Sequence, residues 1–274
     1  MKKIKVKDFF IGAEMPLTVV TGPCVIESEY HALSCAEFLT RLFEGRPINF
    51  IFKSSYDKAN RSSIHSFRGP GLEEGLKILE KIKATFSIPV FTDVHSPEEV
   101  KEAADICDVI QIPAFLCRQT DLVVAAGKTG AVINIKKGQF MAPWDMKQVV
   151  EKIRSTGNEN ILLTDRGTSF GYNNLVSDMR AIPLMQALGY PVFYDATHSI
   201  QLPGGHGERS GGESHFIPPL SKAAIAAGCN GIYAESHPNP REAKSDADGM
   251  LSFNQLADLL DVWEKLYEIV SVTC

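Results

Sequence analysis

Short apolar runs, rich in β-branched residues, alternate with amphipathic stretches along the whole chain. Eight of these runs are continuously apolar, at 17–24, 48–55, 89–94, 109–114, 131–137, 160–166, 191–198 and 231–237. Continuous runs of this length are typical of parallel strands that are buried on both faces. The pattern therefore predicts eight buried parallel strands.

Helical spacing of apolar residues fills the segments between these runs. The predicted helices cover residues 28–43, 72–86, 97–104, 118–126, 144–154, 175–188, 218–227 and 252–269. Ser28 suits a helix N-cap, and Gly127 suits the left-handed residue that follows a helix. Trp144 and Trp263 lie on apolar stripes, and we expect both in the core.

Strand and helix alternate eight times, which favours a single (β/α)₈ barrel, the TIM-barrel architecture, over an open doubly wound sheet. We assign residues 17–274 to this barrel. In residues 1–16, Ile4 and Val6 alternate with lysines. That alternation predicts a small N-terminal hairpin, which we expect to cap the bottom of the barrel.

Composition narrows the class of protein. The 274 residues carry a formal charge of −5, which argues against a nucleic-acid partner. No apolar run reaches the roughly 18 residues of a membrane helix, and Lys5, Lys7 and Asp8 interrupt any signal-peptide core. The six cysteines show no CxxC spacing. We therefore expect reduced thiols in a cytoplasmic protein without a membrane partner.

Polar and charged residues follow almost every predicted strand. In a (β/α)₈ barrel these strand ends build the active site. A single charged residue at such a position is usually a solvated loop residue. When charged residues follow most strands at the same end of one barrel, we expect their side chains to meet in one opening, the mouth of the barrel. The strand-end residues are Cys24, Lys53, Ser54, Ser55, Lys58, Arg61, Asp93, His95, Gln111, Lys136, Lys137, Arg166, His198, Glu235, Ser236 and His237.

Besides Lys137, the strand-end residues include five cations, which is unusual for one mouth of an acidic protein. Such a concentration of like charge destabilises an empty site and suits phosphate or carboxylate ligands. The alternative is that each cation pairs with a local carboxylate such as Asp57 or Asp165. The cations are Lys53, Lys58, Arg61, Lys136 and Arg166.

A second group combines a thiol, an imidazole and two carboxylates. Cys24 follows strand 1, His198 follows strand 7, Glu235 ends strand 8, and Asp246 lies in the loop after strand 8. Strand 8 of a closed barrel lies between strands 7 and 1, so these side chains can form a site for Zn²⁺, Fe²⁺ or another divalent ion. Alternatively, Cys24 is a small buried hydrophobe or a nucleophile.

Residues 203–213 (PGGHGERSGGE) contain five glycines. The segment lacks a GxxxxGK[ST] phosphate loop, so a flexible lid over the mouth is the better interpretation than a phosphate cradle.

Several strings of residues together resemble one family, the 3-deoxy-D-manno-octulosonate 8-phosphate synthases. The resemblance covers nearly the whole chain, strand by strand. The strings are GPC at 22–24, FKSSYDKANRSS at 52–63, QIPAF at 111–115, KKGQF at 136–140, FGY at 170–172 and DATHS at 195–199.

The resemblance implies a (β/α)₈ barrel enzyme, usually a homotetramer. Such an enzyme condenses phosphoenolpyruvate with D-arabinose 5-phosphate and water and releases phosphate. The product leads to the Kdo sugar of lipopolysaccharide. Retention of Cys24, where the metal-independent class has asparagine, implies a divalent metal cofactor such as Fe²⁺, Zn²⁺ or Mn²⁺. The implied ligands are Cys24, His198, Glu235 and Asp246, with Asp248 as the fallback for Asp246.

The same resemblance implies a role for each residue of the mouth. Lys136, Arg166, Gln111 and the Ala114 backbone would hold the phosphate of phosphoenolpyruvate. Its carboxylate would be bound by Lys53, Ser55 and Lys58. The sugar phosphate would be bound by Arg61 and Ser62, and the sugar oriented by Asn60 and Asp93.

Lys58, Asn60, Asp93, His198 and Asp246 are the residues that we expect to take part in catalysis. The proton carrier stays open between a metal-bound water, His198 and Asp246. Two alternative functions also remain. One is a 3-deoxy-arabino-heptulosonate 7-phosphate synthase using erythrose 4-phosphate, although residues 58–63 read KANRSS instead of that group's Lys-Pro-Arg-Thr type string. The other is a phosphosugar-binding barrel without turnover.

Overall fold

A computed structural model of the chain describes residues 1–61, 63–204 and 211–273. Strands and helices alternate through the described chain. The strands are β1 (Ile4–Val6), β2 (Phe9–Ile11), β3 (Thr18–Gly22), β4 (Asn49–Lys53), β5 (Val90–Asp93), β6 (Val109–Ile112), β7 (Val132–Lys136), β8 (Ile161–Asp165), β9 (Thr168–Ser169), β10 (Leu175–Val176), β11 (Val192–Asp195), β12 (Gln201–Leu202), β13 (Gly211–Gly212), β14 (Gly231–His237) and β15 (Leu251–Ser252). The helices are α1 (Glu29–Phe43), α2 (Leu72–Phe86), α3 (Val100–Ile106), α4 (Thr120–Lys128), α5 (Met146–Arg154), α6 (Ala181–Gln186), α7 (Ile217–Ala226) and α8 (Phe253–Thr273).

Eight parallel strands close into a barrel. The hydrogen-bonded order is β11-β8-β7-β6-β5-β4-β3-β14, and β14 also pairs with β11. Helices surround this barrel, and their apolar faces share one core cluster with the outward residues of the strands. The predicted (β/α)₈ barrel is confirmed. Among the described residues, no helix has both the length and the apolarity needed to cross a bilayer.

The inside of the barrel is layered. Each of its eight strands contributes one side chain to a second, separate cluster, which we call the apolar floor. Side chains alternate along a strand, so the residue two positions further on also faces inward, one layer nearer the mouth. The apolar floor consists of Val20, Ile51, Phe91, Val109, Val132, Leu162, Phe193 and Tyr233.

The N-terminal hairpin closes the barrel from below. β1 and β2 are antiparallel, with Ile4 opposite Ile11. Ile4, Val6 and Ile11 are buried in the same cluster as the apolar floor. The Lys2 backbone N–H donates to the Gly189 carbonyl, just ahead of β11. The predicted hairpin is therefore present, and it packs at the end of the barrel where the strands begin.

Three local predictions about helices are wrong. Residues 175–180 are not helical, because β10 pairs with β9 in a hairpin, and α6 begins only at Ala181. Helix α3 begins at Val100 instead of at residue 97, after a turn that starts at Ser96. Gly127 lies inside α4, and the left-handed φ of 75° belongs to Gly130 instead.

The two tryptophans differ in their surroundings. Trp263 is fully buried, as predicted, and its indole N–H donates to Ser221. Trp144 is 64% exposed, so its assignment to the core is wrong. It lies in a 3₁₀ turn begun by Pro143, and α5 starts only afterwards with its own buried stripe, which includes Met146 and Val149. The N-cap prediction is confirmed, since Ser28 accepts from the His31 N–H at 3.1 Å.

Candidate active site

The residue two positions after each apolar-floor residue also faces into the barrel and forms the next layer toward the mouth. Most side chains of this layer are polar. These residues are buried, and neighbouring ones are bonded to each other. Asn134 donates to Gln111 at 3.2 Å, and Thr164 donates to Asn134 at 2.7 Å. The layer consists of Gly22, Lys53, Asp93, Gln111, Asn134, Thr164, Asp195 and Glu235.

Above this layer lies a cavity of about 550 Å³, which we call the mouth cavity. Its wall includes nearly all of the substrate residues implied by the sequence. Cys24, Ser55 and Glu235 are not on that wall and lie buried behind it. Ser62 lies outside the described residues. The predicted residues on the wall are Lys53, Lys58, Asn60, Arg61, Asp93, Gln111, Ala114, Lys136, Arg166, His198 and Asp246.

The four predicted metal ligands lie together on one side of the mouth. The Cys24 thiol is 3.2 Å from the Asp246 carboxylate and 3.0 Å from the Ser245 hydroxyl. One ligand atom from each of Cys24, Glu235 and Asp246 lies within 4.8 Å of the others. His198 Nε2 is 3.6 Å from Glu235 and 3.9 Å from Asp246.

Local backbone and hydrogen bonds fix two of these groups. Asp246 has a φ of 48°, an uncommon conformation for a residue other than glycine, and it leads into a 3₁₀ turn over residues 247–249. His198 Nδ1 contacts the buried Asp195 carboxylate at 2.8 Å, which turns Nε2 toward Glu235 and Asp246. A histidine ring held by a carboxylate in this way is typical of metal sites.

The charge state of this group follows from burial and its neighbours. Burial, followed by the negative charges of Asp246 and Glu235, raises the pKa of the Cys24 thiol. Burial opposes ionisation of Glu235, but His198 and Lys58 outweigh it and lower the pKa of Glu235 to about 2. Burial therefore favours the neutral form of the Cys24 thiol, while its neighbours keep Glu235 ionised.

Two lysines from the second strand and its loop lie next to carboxylates. Lys53 Nζ is 3.5 Å from both Asp93 and Glu235 and donates to Ser55 at 2.7 Å. Lys58 Nζ is 3.8 Å from Glu235. Burial opposes ionisation of Asp93, yet Lys53 and a hydrogen bond from His95 hold its pKa well below the usual range.

Lys136 and Arg166 differ in how they are held. Lys136 pairs with Asp195 at 2.6 Å, and its ammonium lies 3.9 Å from the centre of the Tyr233 ring. Arg166 donates to two neutral acceptors, the His198 carbonyl at 2.9 Å and the Gln201 side chain at 2.7 Å. Its Nε is buried without a hydrogen-bond partner among the described residues. Arg166 thus keeps one guanidinium N–H that the described residues do not use.

The alternative to an anion site was that each cation pairs with a local carboxylate such as Asp57 or Asp165. Some of the cations do pair with carboxylates, but not with these two. Asp57 pairs with Arg68 and not with Lys58 or Arg61. Asp165 pairs with Lys137 at 3.2 Å. Lys53, Lys58 and Lys136 pair instead with carboxylates of the mouth, while Arg61 and Arg166 have carbonyl and amide acceptors.

Some strand-end residues do not reach the mouth, so the prediction of convergence is wrong for them. Lys137 is fully buried and donates to backbone carbonyls, including that of Gly167 at 3.2 Å. Ser54 donates to the Pro23 carbonyl, Ser236 bonds Thr21, and His237 faces Glu27. Adjacent residues on a strand face opposite ways, which explains why Lys136 and Lys137 separate.

The far side of the mouth is formed by the loop after β4 and the loop after β14. Arg61 donates to the Phe67 carbonyl at 2.9 Å and to the Lys244 carbonyl at 3.3 Å, which joins the two loops. Asn60 is exposed on the cavity wall. Of the glycine-rich segment, Pro203 and Gly204 line the cavity, and residues 205–210 lie outside the described residues. The lid stays a prediction.

His95 lies between two carboxylates on the cavity wall. Its Nε2 is 3.1 Å from Asp93 and its Nδ1 is 3.4 Å from Glu99, which also accepts from the Tyr56 hydroxyl at 2.6 Å. Burial disfavours the charged imidazole, but the hydrogen bonds to Asp93 and Glu99 outweigh it and raise the pKa of His95 to about 9. His95 is therefore cationic at neutral pH.

Three residues with prominent contacts in the site were missed at the level of sequence. Asp195 holds both Lys136 and His198, Gln201 holds Arg166, and Tyr233 contacts Lys136 and Glu235. Asp195 had a signal, since it ends an apolar run three residues before His198. Gln201 and Tyr233 had none that separates them from loop and core residues.

Comparison with known proteins assigns the family. The model of the DAHP synthetase I family matches residues 1–272. A 2-dehydro-3-deoxyphosphooctonate aldolase of Protochlamydia amoebophila is 62% identical over 270 residues, which cover 98% of each chain. Proteins with the same name from Geobacter sulfurreducens and Geotalea daltonii are 54% and 56% identical, over 98% of this chain and 99% of each relative.

Proposed function

Since this chain belongs to the DAHP synthetase I family, we propose that it is a 2-dehydro-3-deoxyphosphooctonate aldolase. It condenses phosphoenolpyruvate with D-arabinose 5-phosphate and water, and it yields 3-deoxy-D-manno-octulosonate 8-phosphate and phosphate. This is a step toward the Kdo sugar of lipopolysaccharide. The observation that carries the proposal is identity above 50% along nearly the whole chain to relatives that share this one name.

The charge of the mouth supports two anionic substrates. Six lysines and arginines line the cavity (Lys53, Lys58, Arg61, Lys136, Arg166 and Lys244), against the three aspartates Asp93, Asp246 and Asp248 on its wall and the buried Asp195 and Glu235 behind it. Asp195 and Glu235 lie buried beneath the cavity, whereas Arg61 and Arg166 lie on its wall and donate only to neutral acceptors. Anionic groups can therefore bind at these two arginines without displacing a carboxylate.

Phosphoenolpyruvate takes the deeper part of the mouth in this proposal. Lys136 and Arg166 bind its phosphate, with Gln111 and the Ala114 backbone beside them. Lys53 and Lys58, on the cavity wall, bind its carboxylate together with Ser55, which lies behind the wall and accepts from Lys53 at 2.7 Å. Charge-assisted bonds to both ends of a rigid enol fix the reacting carbon in one orientation.

The aldose phosphate takes the outer part. Arg61 and Ser62 bind its phosphate, and Asn60 and Asp93 orient its hydroxyls. Arg61 has only carbonyl acceptors among the described residues, so its positive charge is available to this phosphate. Both parts belong to one cavity, so the aldehyde carbon and the enol carbon can be brought together in it.

The donor set supports a divalent metal. A thiol, an imidazole and two carboxylates converge, and His198 Nε2 faces two carboxylates at distances beyond a hydrogen bond. Cys24, His198, Glu235 and Asp246 would hold the ion, and Fe²⁺, Zn²⁺ and Mn²⁺ all suit such ligands. When bound, the ion would polarise an oxygen ligand and acidify water.

The chain's own residues orient and stabilise the reaction. The enol carbon attacks the aldehyde, water adds to the adjacent carbon, and phosphate leaves by C–O cleavage of a tetrahedral hemiketal phosphate. Lys58 and the other cations stabilise negative charge that develops at the aldehyde oxygen and on the leaving phosphate. His198 and Asp246 are the candidate groups for proton movement, and Asp195 holds the His198 ring in place.

A single assay tests the function. Phosphate release from phosphoenolpyruvate is measured with arabinose 5-phosphate and, separately, with erythrose 4-phosphate, each with and without a chelator. We expect kcat/KM to be far higher for arabinose 5-phosphate, because residues 60–62 match the octulosonate family. A higher value for erythrose 4-phosphate would assign a heptulosonate synthase, and no release with either sugar would assign a binding protein.

The predicted homotetramer has support from an apolar groove outside the mouth. The groove, of about 910 Å³, is lined by Phe140, Trp144 and Phe170 among others. These three side chains are 57%, 64% and 73% exposed. Contiguous exposed aromatic residues are typical of interfaces. Sedimentation velocity of the wild type and of Trp144→Glu tests this, with dissociation expected for the variant.

The proposal places the enzyme in the cytoplasm. The five described cysteines are free thiols, as a reducing compartment requires.

A further inference from the structure

Tyr233 breaks the pattern of the apolar floor. Seven of the eight barrel strands contribute a hydrocarbon side chain to this layer, and β14 contributes Tyr233. The side chain is 1% exposed. A buried tyrosine hydroxyl needs a hydrogen-bond partner, so a phenol at this position has to be explained by what it contacts.

The hydroxyl contacts a predicted metal ligand. Tyr233 and Glu235 are two residues apart on β14, so both face into the barrel. The Tyr233 hydroxyl donates to Glu235 Oε1 at 3.3 Å. Lys53 approaches the same oxygen at 3.5 Å and His198 at 3.6 Å. Of these contacts, the one from the tyrosine is the shortest, and the phenol adds no net charge.

The ring contacts a predicted phosphate ligand. The Lys136 ammonium lies 3.9 Å from the ring centre, and the Lys53 ammonium lies 5.7 Å from it. Lys136 is 5% exposed, so this cation–π contact is made largely without water. The same ring forms a T-shaped contact with Phe91, with ring centres 6.2 Å apart.

We propose that Tyr233 is a positioning residue with two separable functions. Its hydroxyl orients the Glu235 carboxylate toward a bound divalent ion, and its ring face places the Lys136 ammonium for the phosphate of phosphoenolpyruvate. The inference rests on the proposed function of the site. It adds a residue for which the sequence predicted only a place in a buried strand.

The hydroxyl function follows from what a carboxylate needs in order to act as a ligand. Glu235 has two oxygens that can each accept several bonds, so an unrestrained carboxylate can turn. A hydrogen bond to Oε1 fixes the plane of the group. Removing such outer partners of metal ligands weakens metal affinity about 10- to 100-fold.

The ring function follows from the position of Lys136. Its ammonium has Asp195 on one side, at 2.6 Å, and the ring of Tyr233 on another. Without the ring face, the ammonium is held by Asp195 alone and can turn about that carboxylate, away from the cavity. Phosphate binding would weaken even though the charge of Lys136 is kept.

Tyr233→Phe tests the hydroxyl, because it keeps the ring. The full chain is stripped of metal and titrated with Zn²⁺ against a competing chelator. Binding of phosphoenolpyruvate to the metal-loaded protein is measured by calorimetry without aldose, so no turnover is needed. We expect the Zn²⁺ dissociation constant to rise about tenfold and the phosphoenolpyruvate dissociation constant to stay within about twofold of the wild type.

Tyr233→Leu tests the ring, with Tyr233→Met as a second ring-free variant should the leucine protein not fold. The phosphoenolpyruvate dissociation constant should rise about tenfold, in addition to the weaker Zn²⁺ binding. Phe91→Leu is the matched control, because it removes a neighbouring ring of the apolar floor that carries no hydroxyl, while the cation–π contact of Lys136 is with Tyr233. It should lower the melting temperature and leave both dissociation constants unchanged.

Unchanged Zn²⁺ affinity in Tyr233→Phe would overturn the hydroxyl function, and unchanged phosphoenolpyruvate affinity in the ring-free variants would overturn the ring function. If Phe91→Leu weakened both ligands as much as Tyr233→Leu, Tyr233 would be a packing residue only. None of these readouts depends on the aldose. Failure of the aldolase assay in the wild type would therefore be seen separately.

Discussion

Replacing Arg166 by methionine should remove activity while leaving folding nearly unchanged. The guanidinium is 7% exposed and donates to two neutral acceptors, the His198 carbonyl and Gln201. Leaving those acceptors unpaired costs about 1–2 kcal/mol, part of which the release of a buried charge offsets. A lost charge-assisted contact to phosphate costs about 2–5 kcal/mol, so kcat/KM for phosphoenolpyruvate should fall about 30- to 5,000-fold.

Lys136→Met is the informative partner of this variant. Its ammonium pairs with Asp195, which is fully buried. Removing one member of a buried pair costs about 3–5 kcal/mol, and His198 beside Asp195 favours the low end. Lys136→Met should thus lose both activity and stability. Because Lys136 and His198 hold the pKa of Asp195 low against burial, the stability difference is fully present above about pH 4 and shrinks below it.

The two variants are compared by urea unfolding at pH 7 and pH 3.5 and by steady-state phosphate release. Equal stability of Lys136→Met and the wild type at pH 7 would refute the assigned pair with Asp195. A kcat/KM for Arg166→Met within about threefold of the wild type would remove Arg166 from the phosphate site.

Three further expectations concern the metal, a histidine and the hairpin. Elemental analysis should find less metal per chain in Cys24→Ser than in the wild type. A chelator should abolish the activity of the wild type, and added metal should restore it. Full activity of wild-type protein that holds no metal would contradict both expectations. The pKa of His95 is about 9 in the folded protein and about 6.5 in the unfolded chain. The stability lost in His95→Gln should therefore be largest below pH 6.5, at about 2–3 kcal/mol, and should disappear as the pH rises through 9; a pH-independent difference would contradict the charged bridge. Ile11→Ala should lower the free energy of unfolding by about 2–4 kcal/mol, because Ile11 is buried against the apolar floor. Phe10→Ala, on the exposed face of the hairpin, should change it by under about 0.5 kcal/mol. Similar losses in the two variants would mean that the hairpin does not pack against the apolar floor.

The fold could be predicted because the strand signal is strong. Each barrel strand is buried on both faces, so the apolar runs stand out from the amphipathic helices around them. The prediction failed where a loop resembles a helix. Residues 175–180 continue the apolar spacing of α6, but the first two of them form a strand in a short hairpin with Thr168–Ser169, which helical spacing alone does not reveal.

The sequence predicts which residues form the site, but not which of them contact each other. Lys136 and Lys137 look alike in sequence, yet one reaches the mouth and the other is fully buried and bonded to backbone carbonyls. The period of two along the strand decides this, once one inward residue is known. Partners such as Asp195 depend on which strands are neighbours, and spacing along the chain does not contain that information.

Interleaved carboxylates change how the cations of the mouth act. Unpaired cations this close together would repel each other, and the repulsion would destabilise the folded protein. Here Lys53, Lys58 and Lys136 each lie within 4.0 Å of a buried carboxylate. An incoming phosphate must therefore compete with Asp195 for Lys136, and this lowers the affinity for the free substrate. The competition weakens when charge on the phosphate grows as its C–O bond breaks, so the pairing shifts stabilisation from the bound substrate toward the transition state. Asp195→Asn should accordingly tighten phosphoenolpyruvate binding and still lower kcat, and a variant with weaker binding and unchanged kcat would contradict this account.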